Sequence, residues 1–302
     1  MSRNLVLVRV GRNSLHPSWI DRGTPRDWDL YLSPYQSIPP QPGIECTVGE
    51  VVTGAKWAGI REVLNSWDGW RDYDYIWMPD DDIYTDQGTI SAMFDLAQRL
   101  ELDLFTPALH ESSYYTHFDM MVNRRFFARQ VGFVEIIVPG FRRAALERLL
   151  PTLDLGTTGW GWGLDSVWPK MLGYRGIGVI DAVTVLHTRP VGRMRDAKLG
   201  RRLVEESDVL LGMYDCGQVH VTYGAVGPDL QPLDWTGERL LAEAVAGWRY
   251  LWERDPRILS WIAEFQRQAF PAPEYPIPGT PEAVRGLPIG AAPRSPAGAA
   301  AP

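Results

Sequence analysis

Apolar positions fall into two alternating patterns along roughly the first 190 residues. Runs of strand-forming residues occupy 4–10 (NLVLVRV), 29–33 (DLYLS), 73–78 (YDYIWM), 103–107 (DLFTP), 132–138 (GFVEIIV) and 178–186 (GVIDAVTVL). Between them lie segments with helical spacing at 54–67, 89–100, 141–150 and 164–172; in the first, Trp57, Ile60, Val63, Leu64 and Trp67 share one face. Alternating strands and helices predict an α/β domain over 1–190. From 191 to 270 the pattern predicts a mostly helical extension packed on that domain, with a break near Asp255–Pro256. The Pro-, Ala- and Gly-rich tail, 271–302, cannot bury enough apolar surface to fold and is expected to be disordered. The stretch 110–125 (HESSYYTHFDMMVNRR) has no clear period and reads as a loop that could line a site.

The run at 73–78 ends in Pro79, which has no N–H for a strand ladder, and then in Asp80, Asp81 and Asp82. Ligands of open α/β sheets bind at the carboxyl ends of strands. Adjacent carboxylates repel one another unless a cation compensates. In an extended segment Asp80 and Asp82 point to one side and Asp81 to the other. The outer pair could reach one divalent ion bound to a phosphorylated ligand. The same triplet also fits a solvated acidic turn or the N-cap of the following helix. Glu135 lies inside an apolar run, where an unpaired charge is costly. It either faces solvent across the pleat or contacts a substrate.

Composition narrows the classes. The net charge of −7 argues against a generic nucleic-acid binder, which would carry a basic patch. No apolar run is long enough to span a membrane. The start has no signal-peptide layout, and the two cysteines, Cys46 and Cys216, suggest neither a disulfide framework nor a zinc site. A cytoplasmic location is expected. The thirteen tryptophans fit both sugar stacking and an ordinary core.

Read in order, AKW at 55–57, YDYIWMPDDDI, TPAL at 106–109, GFVEIIVPGF, GWGLD and VIDAVTVLH resemble the DUF707 family, once labelled as related to lysine-ketoglutarate reductase trans-splicing, and more broadly the GT-A-type glycosyltransferases. The resemblance implies a GT-A-like nucleotide-diphospho-sugar transferase fold, with a Rossmann-like central mixed sheet. It implies a divalent-metal-dependent glycosyltransferase that moves a sugar from a nucleoside-diphosphate sugar to a carbohydrate or other hydroxyl-bearing acceptor. Asp80 and Asp82 match the DxD motif that binds ribose and Mn2+ or Mg2+, Asp81 is the variable middle position, and His187 matches a late histidine that completes the metal site. Mixed oxygen and imidazole ligation suits Mn2+. Asp165 matches the base of inverting enzymes, but it equally fits an N-cap. Trp160 and Trp162 offer flat faces to a sugar or pack on the core. No GxGxxG follows the first strand. Arg9 and Lys56, with Asp80 and Asp81, are the candidates for nucleotide or phosphate contact. Two other readings remain open: a non-catalytic GT-A-like domain that binds a nucleotide-sugar or glycan, and a nucleotidyltransferase using the same acidic pair.

Overall fold

The computed structural model describes residues 3–192, 196–229 and 237–268. The tail expected to be disordered, 271–302, lies outside the described residues. In chain order the strands are β1 (Asn4–Val10), β2 (Trp28–Pro34), β3 (Thr47–Val48), β4 (Tyr75–Trp77), β5 (Ile83–Tyr84), β6 (Leu104–Leu109), β7 (Ala128–Val131), β8 (Gly140–Arg142), β9 (Ile177–His187) and β10 (Thr222–Val226). The helices are α1 (Lys56–Ser66), α2 (Gln87–Arg99), α3 (Arg143–Leu149), α4 (Leu164–Met171), α5 (Ala197–Met213), α6 (Gly237–Gly247), α7 (Arg249–Trp252) and α8 (Arg257–Phe265).

The strands form one mixed sheet in the order β10-β7-β9-β6-β8-β4-β1-β2-β3, with β5 pairing on β9. The alternating pattern predicted an α/β domain, and the family resemblance implied the mixed sheet. β1 runs parallel to both β2 and β4, and β6 runs parallel to β9. β8 is antiparallel to β4 on one side and β6 on the other. Every residue of β1 is buried, as expected for a parallel strand covered on both faces. The sheet also takes β10 from beyond residue 190, so the C-terminal segment extends the sheet as well as covering it.

Tryptophan serves mainly as core. Trp19, Trp28, Trp57, Trp70, Trp77, Trp168 and Trp248 are buried. Trp57 meets Trp168 edge-on at 4.9 Å, and Phe141 meets Trp168 at 5.2 Å, which fastens α1, β8 and α4 together.

The expected strand at 132–138 does not form. The ladder positions belong to the flanking segments, β7 and β8. A Cβ on Gly132 would come within 2.6 Å of the Val219 carbonyl oxygen, so the chain passes too close to its neighbour for a regular side chain. The polar groups of the segment go elsewhere. Met78 N–H donates to the Pro139 carbonyl and Asp80 N–H to the Ile137 carbonyl, each at 2.9 Å, and Trp77 Nε1 donates to Val138 at 2.9 Å. An apolar run that is buried but irregular has the same residue pattern as a buried strand.

β9 is continuous but bulges against β6. Its register with β6 jumps from Pro107↔Ile180 to Ala108↔Thr184. The extra residues begin with Asp181, whose carboxylate takes Arg129 Nε at 2.8 Å with both side chains fully buried. Asp181 also accepts from Asn123 N–H at 2.7 Å, while Arg129 donates to the Asp119 carbonyl at 2.8 Å. This pair therefore fixes the 119–123 segment against the sheet. Arg129→Met alone leaves Asp181 buried without its cation and is expected to lower stability by about 3–5 kcal/mol, whereas Arg129→Met with Asp181→Leu should recover most of that loss. Denaturant midpoints of the two variants check this; equal losses would show that the pair is not what anchors the segment.

Candidate active site

The three aspartates at the end of β4 have separate surroundings. Asp80, one-third exposed, meets Lys56 Nζ at 2.6 Å. Asp81 is turned inward: its Oδ2 accepts from Tyr35 Oη at 2.9 Å and Gly11 N–H at 3.3 Å, and its Oδ1 meets Arg189 at 3.3 Å. These contacts tie the ends of β1, β2 and β9 to the acidic turn. They commit Asp81 to the protein rather than to the nucleotide contact expected of it. Burial raises its pKa, and the Tyr35 and Arg189 contacts oppose the rise. Asp82 is buried, with Oδ2 at 3.4 Å from His187 Nε2. Its Oδ1 is buried and has no hydrogen-bond partner. Asp80 and Asp82 converge and Asp81 turns away, but Asp81 and Asp82 lie in a turn after β4, so the separation comes from that turn and not from the alternation of an extended segment. The N-cap of α2 is Asp86, not a member of the triplet.

His187 is the last residue of β9, not the residue after it. Its Nδ1 lies 2.8 Å from the Tyr114 carbonyl, which can only accept, so Nδ1 carries a proton; Nε2 faces Asp82, donating to it when the ring is protonated and free to offer its lone pair to a cation when the ring is neutral. Ser113 Oγ accepts from His187 N–H at 3.1 Å. Burial disfavours the imidazolium, but the hydrogen bond and charge of Asp82, the Tyr114 carbonyl and the charge of Asp80 outweigh it and raise the pKa.

One donor atom from each of Asp80, Asp82 and His187 lies within 4.8 Å of the others. These residues fit a divalent cation on two grounds. Asp82 Oδ1 is a buried acceptor with nothing to accept from, a costly arrangement that a cation relieves. A histidine whose second nitrogen is fixed by a carbonyl also has the usual setting of a metal ligand. The mixed oxygen and imidazole donor set suits a divalent cation.

Lys56 reaches the acidic cluster and Arg9 does not, and both spend hydrogen bonds on the protein itself. Besides Asp80, Lys56 Nζ donates to the Ile136 and Ile137 carbonyls, each at 2.8 Å. Burial lowers its pKa, against the charges of Asp80, Asp82 and Glu135. Arg9 is buried beneath α1, where a Cβ on Gly59 would overlap its guanidinium. Arg9 donates to Ser33 Oγ at 2.9 Å, to the Val52 carbonyl and to the Gly54 carbonyl at 3.3 Å. Through its two terminal nitrogens it holds the approach to α1.

The Gly/Trp loop before α4 is built against α1. The Gly159 carbonyl accepts from Trp57 N–H at 2.9 Å and Ala58 N–H at 3.2 Å, capping α1. Gly159 and Gly161 have φ of +73° and +82°, and a Cβ on either would come within 2.6 Å of Ala58 or Trp57. Trp160 and Trp162 flank this contact and are half-buried, so neither belongs to the closed core. The Glu206 carboxylate of α5 accepts four hydrogen bonds, from the N–H and hydroxyl groups of Thr157 and Thr158 at 2.6–2.9 Å, and so pins the loop.

Asp165 is not an N-cap: that position is Gly163, and Asp165 sits buried in the first turn of α4. Burial pushes its pKa up to about 7, with opposing contributions from His220 and Ser166. Glu135 is also buried, so the solvent-side reading fails, and its Oε2 has no partner. Burial, then the charges of Asp165 and Asp119, push its pKa up to about 8. Two acids poised near neutrality have the character of acid–base groups.

Three further residues were not identified from sequence. His117, Asp119 and His220 also place one donor atom each within 4.8 Å of the others. The only local signal was the polar and aromatic loop at 110–125.

No protein-family model and no curated protein matches the sequence. Solved structures with a similar chain path include S. aureus TarS, at 9% identity and a TM-score of 0.42 over 70% of this chain. This chain spans only 43% of the length of that TarS chain. TarS 1-349 in complex with UDP-GlcNAc matches at 10% identity and a TM-score of 0.42, over 68% of this chain and 66% of that one. Glucosyl-3-phosphoglycerate synthase from Mycobacterium tuberculosis, in complex with Mn2+, UDP-glucose and phosphoglyceric acid, matches at 14% identity and a TM-score of 0.44, over 74% and 83% of the two chains. Among the described residues, no helix is long and apolar enough to cross a membrane.

The raised acids predict a pH dependence of stability. Both ionise near pH 4 in the unfolded chain but only near pH 7–8 when folded. Each therefore removes stability progressively as pH rises from the unfolded to the folded pKa. In EDTA, Glu135→Gln should melt above the wild type at about pH 9 and not at about pH 5. A melting difference that does not change with pH would show that Glu135 is not buried as an acid.

Proposed function

We propose that this protein is a divalent-metal-dependent glycosyltransferase of the GT-A and DUF707 kind, acting in the cytoplasm. It would transfer a sugar from a nucleoside-diphosphate sugar to a carbohydrate or other hydroxyl-bearing acceptor, with inversion. The observation that supports this most is the buried, unpartnered Asp82 Oδ1 next to His187 Nε2, in a cluster completed by Asp80 at the carboxyl end of β4. Asp80, Asp82 and His187 would hold Mn2+ or Mg2+. When bound, the ion supplies positive charge against the diphosphate of the donor and its departing nucleoside diphosphate.

The chain's own groups would do the remainder. The Asp165 carboxylate takes the proton of the acceptor hydroxyl as that oxygen bonds to the anomeric carbon. The bond from that carbon to the diphosphate oxygen breaks on the opposite face, and the nucleoside diphosphate leaves with the electron pair. A pKa of about 7 leaves Asp165 substantially ionised at neutral pH yet basic enough to accept a proton. Glu135, with a pKa of about 8, is mostly protonated there and can donate a hydrogen bond to a substrate oxygen. Trp160 and Trp162 offer half-buried rings at the loop that carries Asp165.

Calorimetry with UDP and GDP, with and without Mn2+, tests the cation role. Binding of at least one nucleotide should need the ion and weaken sharply in Asp82→Asn; equal affinity in EDTA would exclude the role. Turnover tests the base. Asp165→Asn should keep donor and metal binding and lose roughly 10²–10⁴-fold in transfer. Near-normal transfer would remove Asp165 as base and with it the case for inversion. Metal-dependent donor binding with no transfer to any hydroxyl acceptor would favour the binding-module reading.

A further inference from the structure

We propose that His117, Asp119 and His220 form a second cation site, separate from the Asp80–Asp82–His187 cluster, which takes a divalent transition ion of the zinc type. Two imidazoles and one carboxylate are a donor set that borderline divalent ions prefer over Mg2+ or Ca2+. Their donor atoms already lie within 4.8 Å of one another.

A buried Asp–His ion pair is the simpler reading, since His220 Nδ1 lies 2.9 Å from Asp119 Oδ2. That pair leaves something unexplained. Asp119 is only 5% exposed, and its Oδ1 is buried with no hydrogen-bond partner. The pair also gives no reason for a second imidazole, that of His117, beside it.

The three side chains are held in place from outside the cluster. Arg129 donates to the Asp119 carbonyl at 2.8 Å, and the Asp181 carboxylate fixes Arg129 in turn. His220 N–H donates to Gln268 Oε1 at 2.8 Å. The His220 ring stacks on His117 at 5.1 Å and Phe265 at 4.6 Å, and is tilted on Phe133 at 4.4 Å. Rings fixed in this way lose little freedom when they ligate.

His117 is the half-buried member and gives solvent a way to the cluster. The proposal does not depend on what the first cluster binds.

The experiment uses the full chain, stripped with chelator and titrated with Co2+ and Zn2+. Co2+ is read by visible absorption and Zn2+ by equilibrium dialysis. The wild type should bind Zn2+ and show an intense visible Co2+ band. Both should persist in Asp82→Asn. In His117→Asn and in His220→Asn the band should vanish and Zn2+ binding should weaken more than about 10-fold, as expected on losing a ligand. Circular dichroism confirms that each variant is folded. His117 is half-buried, so its variant gives the answer even if His220→Asn does not fold. Wild-type Zn2+ and Co2+ binding in His117→Asn, no binding by the wild type, or complete loss in Asp82→Asn would each overturn the proposal.

Discussion

The contact on which the rest of the site depends is the ammonium group of Lys56. From the first turn of α1 it meets Asp80 and the carbonyls of Ile136 and Ile137. One half-buried cation thus joins the helix, the acidic end of β4 and the irregular segment that replaces the expected strand. Desolvation works against it, and the charges of Asp80, Asp82 and Glu135 hold it there. With Lys56 in this position, the 132–139 segment can run beside Trp77–Asp80 without a sheet ladder, and Glu135 is carried inside. The same helix end is capped by the Gly159 carbonyl, which sets the loop leading to Asp165. The acid cluster and the Gly/Trp loop are therefore positioned by the two sides of one helix start.

Around that frame the protein concentrates buried acids. Asp82, Asp119, Glu135 and Asp165 are all buried, and three of them keep an oxygen without a partner: Asp82, Asp119 and Glu135. A fold rarely leaves such groups unpaired without a use for them. The loop at 110–125 serves both histidine clusters. Ser113 and Tyr114 orient His187, and a few residues later His117 and Asp119 form the second group. The interior Arg129–Asp181 pair holds the latter half of this loop.

What was legible in the sequence was what is local. The apolar run, the proline stop and the acidic triplet are contiguous, so the placement of Asp80 and Asp82 at a strand end followed from period and adjacency. His187 stood out at the end of a long apolar run, but its link to Asp80 and Asp82 came from the family resemblance, not from its position. Partnership across distance was not legible. His220 pairs with Asp119 from 101 positions away, and no spacing rule links them. Glu206 reaches Thr157 and Thr158 from a helix in the segment read as an extension. Arg9 looked like a phosphate ligand because a strand end followed by glycine suits one; its partners are backbone carbonyls, which leave no trace in sequence. The 132–138 run misled because burial, not strand geometry, selected its residues.

If Asp82 and His187 share a cation with a nucleoside diphosphate, pulsed electron paramagnetic resonance on the protein with one equivalent of Mn2+ and excess UDP reads both partners at once. One ion should carry a phosphorus coupling from the diphosphate and a nitrogen coupling from an imidazole, with the nitrogen coupling absent in His187→Asn. A phosphorus-coupled ion with no nitrogen coupling, or a nitrogen coupling that survives His187→Asn, would contradict a shared cation.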